Sequence, residues 1–273
     1  MLARIALVGL VVGACAPQRT TFAAHPTATP AFDRAASDAK ALEIADRVIA
    51  AAGGIDRWNA ARQIRWSESV TTDPGKPPIS FDEAWDRWNG RHYYRLRAAG
   101  GDAIVMRDLY GARQTAFGEV GHQRQGLSGP DSEHLFASAR ERWELDTTLL
   151  FLPFLLEASG NKLALTGEFP GENGQPPLDD LKLTFDPKDP SRTATYHAMV
   201  NRTSNQIERI EIIKAGDPDN QRLGYKPGAW TDVGGMKLAT TYQNIGMPSE
   251  VITYTAIKVS AEPDDELYVP VTQ

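Results

Sequence analysis

The sequence predicts an α+β protein in which a strongly curved antiparallel sheet of about eleven strands wraps around one N-terminal and one mid-chain helix. Three observations lead to this fold class. Short segments of alternating apolar and polar residues follow one another from residue 63 to residue 260, separated by turn residues. Only two segments, near residues 38–53 and 131–152, have the features of helices. Asn89-Gly90 lies between two aromatic segments, as in a tight hairpin.

The first residues indicate export and lipid anchoring. Residues 1–14 combine Arg4 with about ten apolar or small residues, too few for the roughly 20 of a membrane-spanning helix but typical of a secretion signal. Val12-Gly13-Ala14-Cys15 resembles a bacterial lipobox, and Cys15 is the only cysteine in the chain. We therefore expect a lipoprotein signal peptide at 1–14 and a lipid anchor on Cys15, in the outer membrane because Ala16 rather than Asp follows. In the alternative interpretation, Cys15 is only a small apolar residue of an ordinary cleavable signal.

The composition of the remaining chain limits its domain organisation and its possible partners. Residues 15–36 are rich in Ala, Thr and Pro without periodicity, which predicts a flexible tether, and residues 37–273 fit a single domain. The formal charge of −6 argues against nucleic acid or an anionic bilayer as an electrostatic partner. Because one cysteine cannot form an internal disulfide, the stability of the domain must come from its hydrophobic core.

The ordered domain is predicted to begin with a helix capped by Ser37 or Asp38. Apolar residues recur every three or four positions from Ala41 to Ala52, and Gly53 follows where a left-handed C-cap belongs. A short turn at 55–59 leads to the segment RQIRWSESV, whose alternation predicts a strand with one wet face.

A hairpin is predicted around Asn89-Gly90, with these two residues as a type I′ turn. This register places Trp88 opposite Arg91 and Trp85 opposite Tyr94. One face then carries Phe81, Trp85, Tyr94 and Leu96, and it is the better candidate for the interior because Asp86, Tyr93 and Arg95 share the other face.

Further strands are predicted at 103–110, 113–120, 162–168, 178–185, 193–201, 207–214, 221–225, 236–245 and 251–260. The second helix is predicted over residues 131–152, with Pro153 as its stop. Its end, LLFLPFLL, is the most hydrophobic stretch outside the signal peptide. This end either covers the core or also lines a cavity for an apolar ligand.

Tests for catalytic and metal motifs exclude the usual enzyme classes. His92, His122, His134 and His197 show neither an HExxH motif nor close pairing, so no metal site and no cofactor are expected. Ser128 and His134 lack the glycine-flanked serine turn of the hydrolases. The segment from Asp217 resembles the start of a calcium loop, but Gly228 occupies the position that requires Glu. We expect a non-enzymatic protein.

Four segments have the order and spacing found in a family of bacterial envelope proteins. They are ALEIADRVIAAAGG, YHAMVNRTSNQIERIEIIKAG, LGYKPGAWTDVGGMKLATTYQNIG and VSAEPDDELYVP. On these segments the chain resembles the LolA/LolB-like superfamily. The resemblance implies an open half-barrel with a helix packed into it, and binding of lipids or acyl chains in the concave space. It further implies a role in lipid or lipoprotein trafficking on the periplasmic side of the envelope.

The expected ligand site combines the aromatic sheet face with the apolar end of the second helix. Its residues are Trp66, Phe81, Trp85, Tyr94, Leu96, Leu149, Leu152, Phe154 and Leu155. The alternative is an interaction or sensor module whose interior is filled and whose surface binds another envelope protein. An apolar groove left open beside residues 149–156 favours a lipid, whereas a packed interior favours a protein partner. A monomer is expected in both cases.

Overall fold

The computed structural model of the protein describes residues 32–121, 123–171, 174, 176–185 and 194–269. The predicted signal peptide, Cys15, most of the predicted tether and His122 lie outside these residues. The helices are α1 (Ala39–Ala51), α2 (Ile55–Ala60) and α3 (Pro130–Leu155), with 3-10 helices at Arg34–Ala36 and Asp265–Tyr268. The strands are β1 (Gln63–Thr71), β2 (Ile79–Asp86), β3 (Arg91–Arg97), β4 (Asp102–Asp108), β5 (Gln114–Val120), β6 (Gln123–Gly126), β7 (Lys162–Phe169), β8 (Leu178–Thr184), β9 (Thr195–Asn201), β10 (Ile207–Ile213), β11 (Leu223–Pro227), β12 (Trp230–Val233), β13 (Met236–Ala239), β14 (Thr241–Asn244) and β15 (Val251–Ser260). Among the described helices, none has both the length and the apolar character needed to span a membrane.

A single large sheet dominates the fold. Thirteen strands pair in the order β6-β5-β4-β3-β2-β1-β15-β14-β11-β10-β9-β8-β7, and β12 and β13 form a separate hairpin. The sheet is antiparallel and curved, and it does not close. The predicted fold class is confirmed, with thirteen main strands in place of about eleven. The sequence analysis missed β6 and β12 and joined β13 to β14, because strands of four residues carry too little alternation to be recognised.

Helix α1 follows its predicted apolar stripe. The apolar residues of this stripe, from Ala41 to Ile49, are buried against the concave face of the sheet. Gly53 has φ +116°, and a Cβ there would lie 2.2 Å from the carbonyl oxygen of Gly235. The predicted glycine cap is therefore confirmed, and the close approach of the β12–β13 hairpin is a second reason for glycine. The predicted turn at 55–59 is wrong, because these residues belong to α2.

The side chains of Ser37 and Asp38 do not cap α1 as predicted. Ser37 Oγ accepts a hydrogen bond from Leu163 N, and Asp38 Oδ2 accepts one from Leu165 N, so both side chains cover the edge strand β7. Residues 32–36, the end of the predicted tether, are folded onto the domain. Arg34 pairs there with Asp46 at 2.8 Å and with Glu157 at 2.6 Å.

The β2–β3 hairpin differs from its prediction in register. Asp86 lies opposite Arg91 and Trp85 opposite His92, so residues 87–90 form the loop, and the two-residue turn with Trp85 opposite Tyr94 is wrong. Asp86 explains the longer loop, because its carboxylate accepts hydrogen bonds from Asn89 Nδ2 at 2.7 Å and Arg91 Nε at 2.9 Å. The register differs by two residues, and an even shift preserves the faces of the strands. Phe81, Trp85, Tyr94 and Leu96 therefore share the inner face, as predicted.

Replacing Gly90 by Val is expected to destabilise the domain by about 1–3 kcal/mol. Gly90 has φ +61°, and its Cβ would lie 2.2 Å from a ring carbon of Tyr110. Gly100→Val is the matched control, because that loop glycine has open space around its Cβ position. Chemical denaturation of both variants measures the difference. Equal midpoints would contradict the assigned role of Gly90.

Helix α3 continues through Pro153 to Leu155, so the predicted stop at Leu152 is wrong. A proline inside a helix leaves the carbonyl four residues earlier without its donor, and that carbonyl belongs to Leu149. The hydroxyl of Tyr242, which is buried on β14, donates a hydrogen bond to Leu149 O. A tertiary contact thus replaces the missing helical hydrogen bond, and the apolar end of α3 remains helical.

The outer face of the sheet carries a second, smaller core. It consists of Ala84, Tyr93, Ile104, Met106, Phe117 and Tyr268. The 3-10 helix Asp265–Tyr268 covers it, and Gln63 Nε2 donates to the Tyr268 hydroxyl at 3.1 Å. The outer face, which the sequence analysis assigned to solvent, is therefore partly buried.

Candidate functional site

The structure brings the predicted ligand residues into one space between the concave sheet face and α3. The sheet contributes Trp66, Phe81, Trp85 and Tyr94, which are buried, and Leu96, which is half-buried. The helix contributes Leu149, Leu152, Phe154 and Leu155, which are all at most 5% exposed. The described side chains fill this space themselves, so of the two alternatives that the sequence left open, a groove beside residues 149–156 or a packed interior, this part of the chain shows the packed interior.

An aromatic cluster occupies the middle of the interior. Trp58 of α2 stacks on Phe154 with ring centroids 5.2 Å apart, and Phe151 lies 5.9 Å from Trp66 and 6.4 Å from Trp85. Offset and edge-to-face contacts of this kind add to the burial of the rings themselves. Sequence reasoning missed Trp58 because α2 was interpreted as a turn. Phe151 lies inside the apolar stretch LLFLPFLL, so a signal for it was present.

Arg87 closes one side of this cluster without a carboxylate partner among the described residues. Its guanidinium lies 3.5 Å from the ring centroid of Trp58 and donates to the carbonyl oxygens of Trp58 and Ala61, the latter at 2.5 Å. Burial lowers the pKa of Arg87 to about 9. The side chain is still charged at neutral pH, and it is satisfied by the carbonyl end of α2 and by the ring.

Three buried carboxylates meet in the same interior, and we call Glu68, Glu83 and Asp146 the carboxylate cluster. One oxygen of each lies within 4.8 Å of the others. Arg142 Nη2 lies 2.6 Å from Glu68 Oε1 and 2.6 Å from Asp146 Oδ1. The Tyr254 hydroxyl donates to Asp146 Oδ1 at 2.9 Å. The cluster therefore joins α3 to β1, β2 and β15.

The electrostatics of the carboxylate cluster favour two neutral carboxyls and one ion pair. Burial and the nearby charge of Asp146 raise the pKa of both Glu68 and Glu83 well above the usual range. Burial also opposes ionisation of Asp146, but the charge and hydrogen bond of Arg142 outweigh it and lower the pKa of Asp146. Burial lowers the pKa of His92 well below its usual range, so the imidazole 2.8 Å from Glu83 is neutral. The net charge of the group is then zero, as a site removed from water requires.

The carboxylate cluster is the one group of three or more acidic or histidine side chains in the described ranges with spacing suited to a metal ion. Carboxylate oxygens are ligands for Ca²⁺ and Mg²⁺. Here the Arg142 guanidinium already contacts two of the three carboxylates and supplies the positive charge. A metal ion would have to displace it, so we assign the cluster to the attachment of α3 to the sheet.

The carboxylate cluster could have been predicted from the sequence, because two of its acids occupy inward-facing strand positions. Glu68 occupies an inward-facing position in β1 between Trp66 and Val70, and Glu83 lies likewise between Phe81 and Trp85. An acid in the apolar half of an alternating strand predicts a buried charge that needs a partner.

Comparison with known proteins supports the fold. No protein-family model and no curated protein matches the chain. A DUF1329 family protein from Desulfovibrio piger has a similar structure, with a TM-score of 0.50 and 13% identity over 84% of this chain and 96% of that one. The two chains share a fold. The other structure neighbours include the LolA superfamily and the lipoprotein-sorting proteins, as the sequence resemblance predicted.

Two such neighbours show the extent of this likeness. A LolA superfamily protein from Nitrosomonas europaea has a TM-score of 0.49 and 12% identity over 83% of this chain and 97% of that one. A putative outer membrane lipoprotein-sorting protein domain from Vibrio parahaemolyticus has a TM-score of 0.44 and 10% identity over 84% and 96%. Similarities at this level do not identify a ligand.

Proposed function

We propose that this chain is a non-enzymatic, lipid-anchored protein of the bacterial envelope that binds the acyl chains of a hydrophobic ligand inside its half-barrel. The observation that carries the proposal is the unequal attachment of α3. Its middle is held by the charges of Arg142 and Asp146. Its end from Leu149 to Leu155 is held by apolar contacts and by two uncharged side-chain hydrogen bonds, from Tyr242 to the Leu149 carbonyl and from Asn161 to the Leu155 carbonyl. The end can thus separate from the sheet while the middle stays in place.

The packed interior is then the closed, ligand-free state. An acyl chain that replaces the end of α3 exchanges one set of apolar contacts for another, and the side-chain hydrogen bonds at stake are those from Tyr242 to the Leu149 carbonyl and from Asn161 to the Leu155 carbonyl. The binding surface is the predicted one, with Trp66, Phe81, Trp85, Tyr94 and Leu96 on the sheet and Leu149, Leu152, Phe154 and Leu155 on the helix. Entry of the ligand requires movement of this helix end, so binding is expected to be slower than diffusion.

Replacing Leu152 by Gln is expected to weaken binding of a fluorescent fatty acid at least tenfold, because the change puts an amide into the apolar surface. The test uses the chain from residue 16 onward, measured by fluorescence titration, with native mass spectrometry of the purified protein to detect lipid. Met106→Gln is the matched control. Met106 is equally buried, at 2% exposure, but lies in the core on the opposite face of the sheet. Equal loss of affinity in both variants would show that stability, and not the site, controls binding.

A second function is favoured by the packed interior itself. A half-barrel filled by its own helix can serve as a rigid interaction module that binds another envelope protein through its surface. Native mass spectrometry without co-purified lipid, together with no binding of any acyl probe at micromolar concentration, would support this module and contradict the carrier.

Lipid anchoring provides a separate prediction. Replacing Cys15 by Ser is expected to move the protein from the membrane fraction to the soluble fraction. A multiply acylated N-terminus binds the membrane firmly, and serine cannot carry the lipid that the predicted signal attaches to cysteine. Cell fractionation measures the change, and mass spectrometry identifies the mature N-terminus. An unmodified Cys15 or a mature start at another residue would disprove the anchor.

A further inference from the structure

A groove of about 330 Å³ lies on the outer face of the sheet, opposite α3. It crosses β15, β1, β2 and β3. Its lining includes the basic side chains of Arg65, Arg95, Arg97 and Lys258. The lining also includes the acidic residues Asp82 and Glu83, so basic side chains outnumber acidic ones in the groove although the formal charge of the whole chain is −6.

The shape of the groove follows from the strand register. Arg65 lies opposite Ala84, and Ala84 lies opposite Tyr93, so a short side chain separates a cation from an aromatic ring on neighbouring strands. Leu267 from the 3-10 helix Asp265–Tyr268 lines the groove as well. The groove thus has an apolar floor beside a charged side, and its volume falls at the lower end of the range of about 300–1,000 Å³ found for small organic ligands.

A β-bulge places two of the cations together. Lys258 lies directly opposite Arg65, and the register of β1 and β15 shifts immediately beyond this pair. Ala256, inside the bulge, has φ +50°, which is unfavourable for a residue with a side chain. Like charges opposite each other in a sheet are destabilising. A strained bulge that holds two cations side by side is therefore better explained by a ligand than by stability.

The cations of the groove remain available to an anion. Lys258 has no carboxylate at salt-bridge distance within the described ranges, whereas each arginine of the groove has one or two. These pairs are Arg65 with Asp264, Arg97 with Asp82, and Arg95 with Asp102 and Glu119. The side chains of Arg65 and Arg97 are 45% and 54% exposed, and exposed ion pairs of this kind are weak enough for a ligand to replace.

We propose that this groove binds a phosphate-bearing organic anion. The phosphate lies between Arg65 and Lys258, where the guanidinium offers two parallel N–H donors and the ammonium a point charge. The organic part contacts Leu267 and Ala256, the apolar lining residues that the second core does not bury. The phosphate can belong to a soluble ester or to a phospholipid headgroup. Because the groove and α3 lie on opposite faces of the sheet, this site is independent of acyl-chain binding in the interior.

Lys258→Gln distinguishes a binding role from a structural one. Glycerol phosphate is the probe, and isothermal calorimetry with the chain from residue 16 onward measures its affinity. We expect the variant to bind at least tenfold more weakly, yet to melt at the same or a higher temperature without ligand because its repulsion with Arg65 is gone. Lys237→Gln, an exposed lysine of the β12–β13 hairpin, is the control and should bind normally. No binding by the parent chain, or equal binding by Lys258→Gln, would overturn the proposal.

Vesicles identify the source of the phosphate. The same proteins are sedimented with phosphatidylcholine vesicles that contain or lack phosphatidylglycerol. Binding of glycerol phosphate without binding to either vesicle assigns a soluble ester. Binding to the phosphatidylglycerol vesicles that Lys258→Gln abolishes assigns a headgroup, whereas vesicle binding that both variants retain would contradict the groove as the site.

Discussion

Arg142→Met is expected to destabilise the domain by about 3–5 kcal/mol at pH 7, the usual result of removing one partner from a buried ion pair. Arg142 is the cation that contacts both Glu68 and Asp146, and its side chain is only 15% exposed. Without it, Asp146 must either remain charged in the interior or take up a proton. Chemical denaturation measures the loss, and part of it should be recovered at pH 5, where protonation of Asp146 is easier.

Two controls separate this effect from a general one. Arg140→Met makes the same change on an exposed side of the same helix and should alter stability by no more than about 0.5 kcal/mol. Arg142→Lys retains a positive charge and should be folded if Arg142→Met is not. Similar losses in Arg140→Met and Arg142→Met would show that the contact with the carboxylate cluster is unimportant.

The stability of the domain is expected to fall with rising pH through its neutral glutamates, by about 1.4 kcal/mol per pH unit for each carboxyl. Burial, followed by the charge of Asp146, raises the pKa of Glu68 in the folded state, so the folded protein holds a proton that the unfolded chain releases above about pH 4.3. The stabilisation is complete below that pH and is lost as the pH rises to the folded pKa. Asp146 acts in the opposite sense, because its lowered pKa stabilises the fold except in strong acid.

Glu68→Gln isolates this contribution. The amide resembles the protonated carboxyl, so the variant should equal the parent near pH 4 and become more stable than the parent as the pH rises. The lowered pKa of His92 makes the stability rise with pH below about pH 6.5, which is the opposite trend. Because His92 is present in both proteins, its contribution cancels in the difference between their unfolding free energies. Denaturation curves at half-unit intervals measure that difference. A difference that does not change with pH would mean that Glu68 is ionised in the folded protein.

Much of the fold followed from patterns within short segments. The alternation in RQIRWSESV and in the hairpin strands assigned the inner face correctly, since neighbouring residues of a strand point to opposite sides whatever their partner. The stripe of α1 and the cap at Gly53 were equally local. The hairpin loop was not, because Asp86 selects four loop residues over two by bonds to Asn89 and Arg91.

The sequence by itself determined the fold class, the inner face of β1 to β3, the buried side of α1 and the residues that meet in the interior. Only the tertiary structure decided that α3 continues past Pro153, because the replacement donor, Tyr242, is 93 residues away. It also decided that the interior is filled, that Asp146 joins Glu68 and Glu83, and that Tyr268 covers a second core. These outcomes depend on contacts between distant segments. The free energy of such contacts exceeds the local preference of a proline to end a helix or of an acid to remain in water.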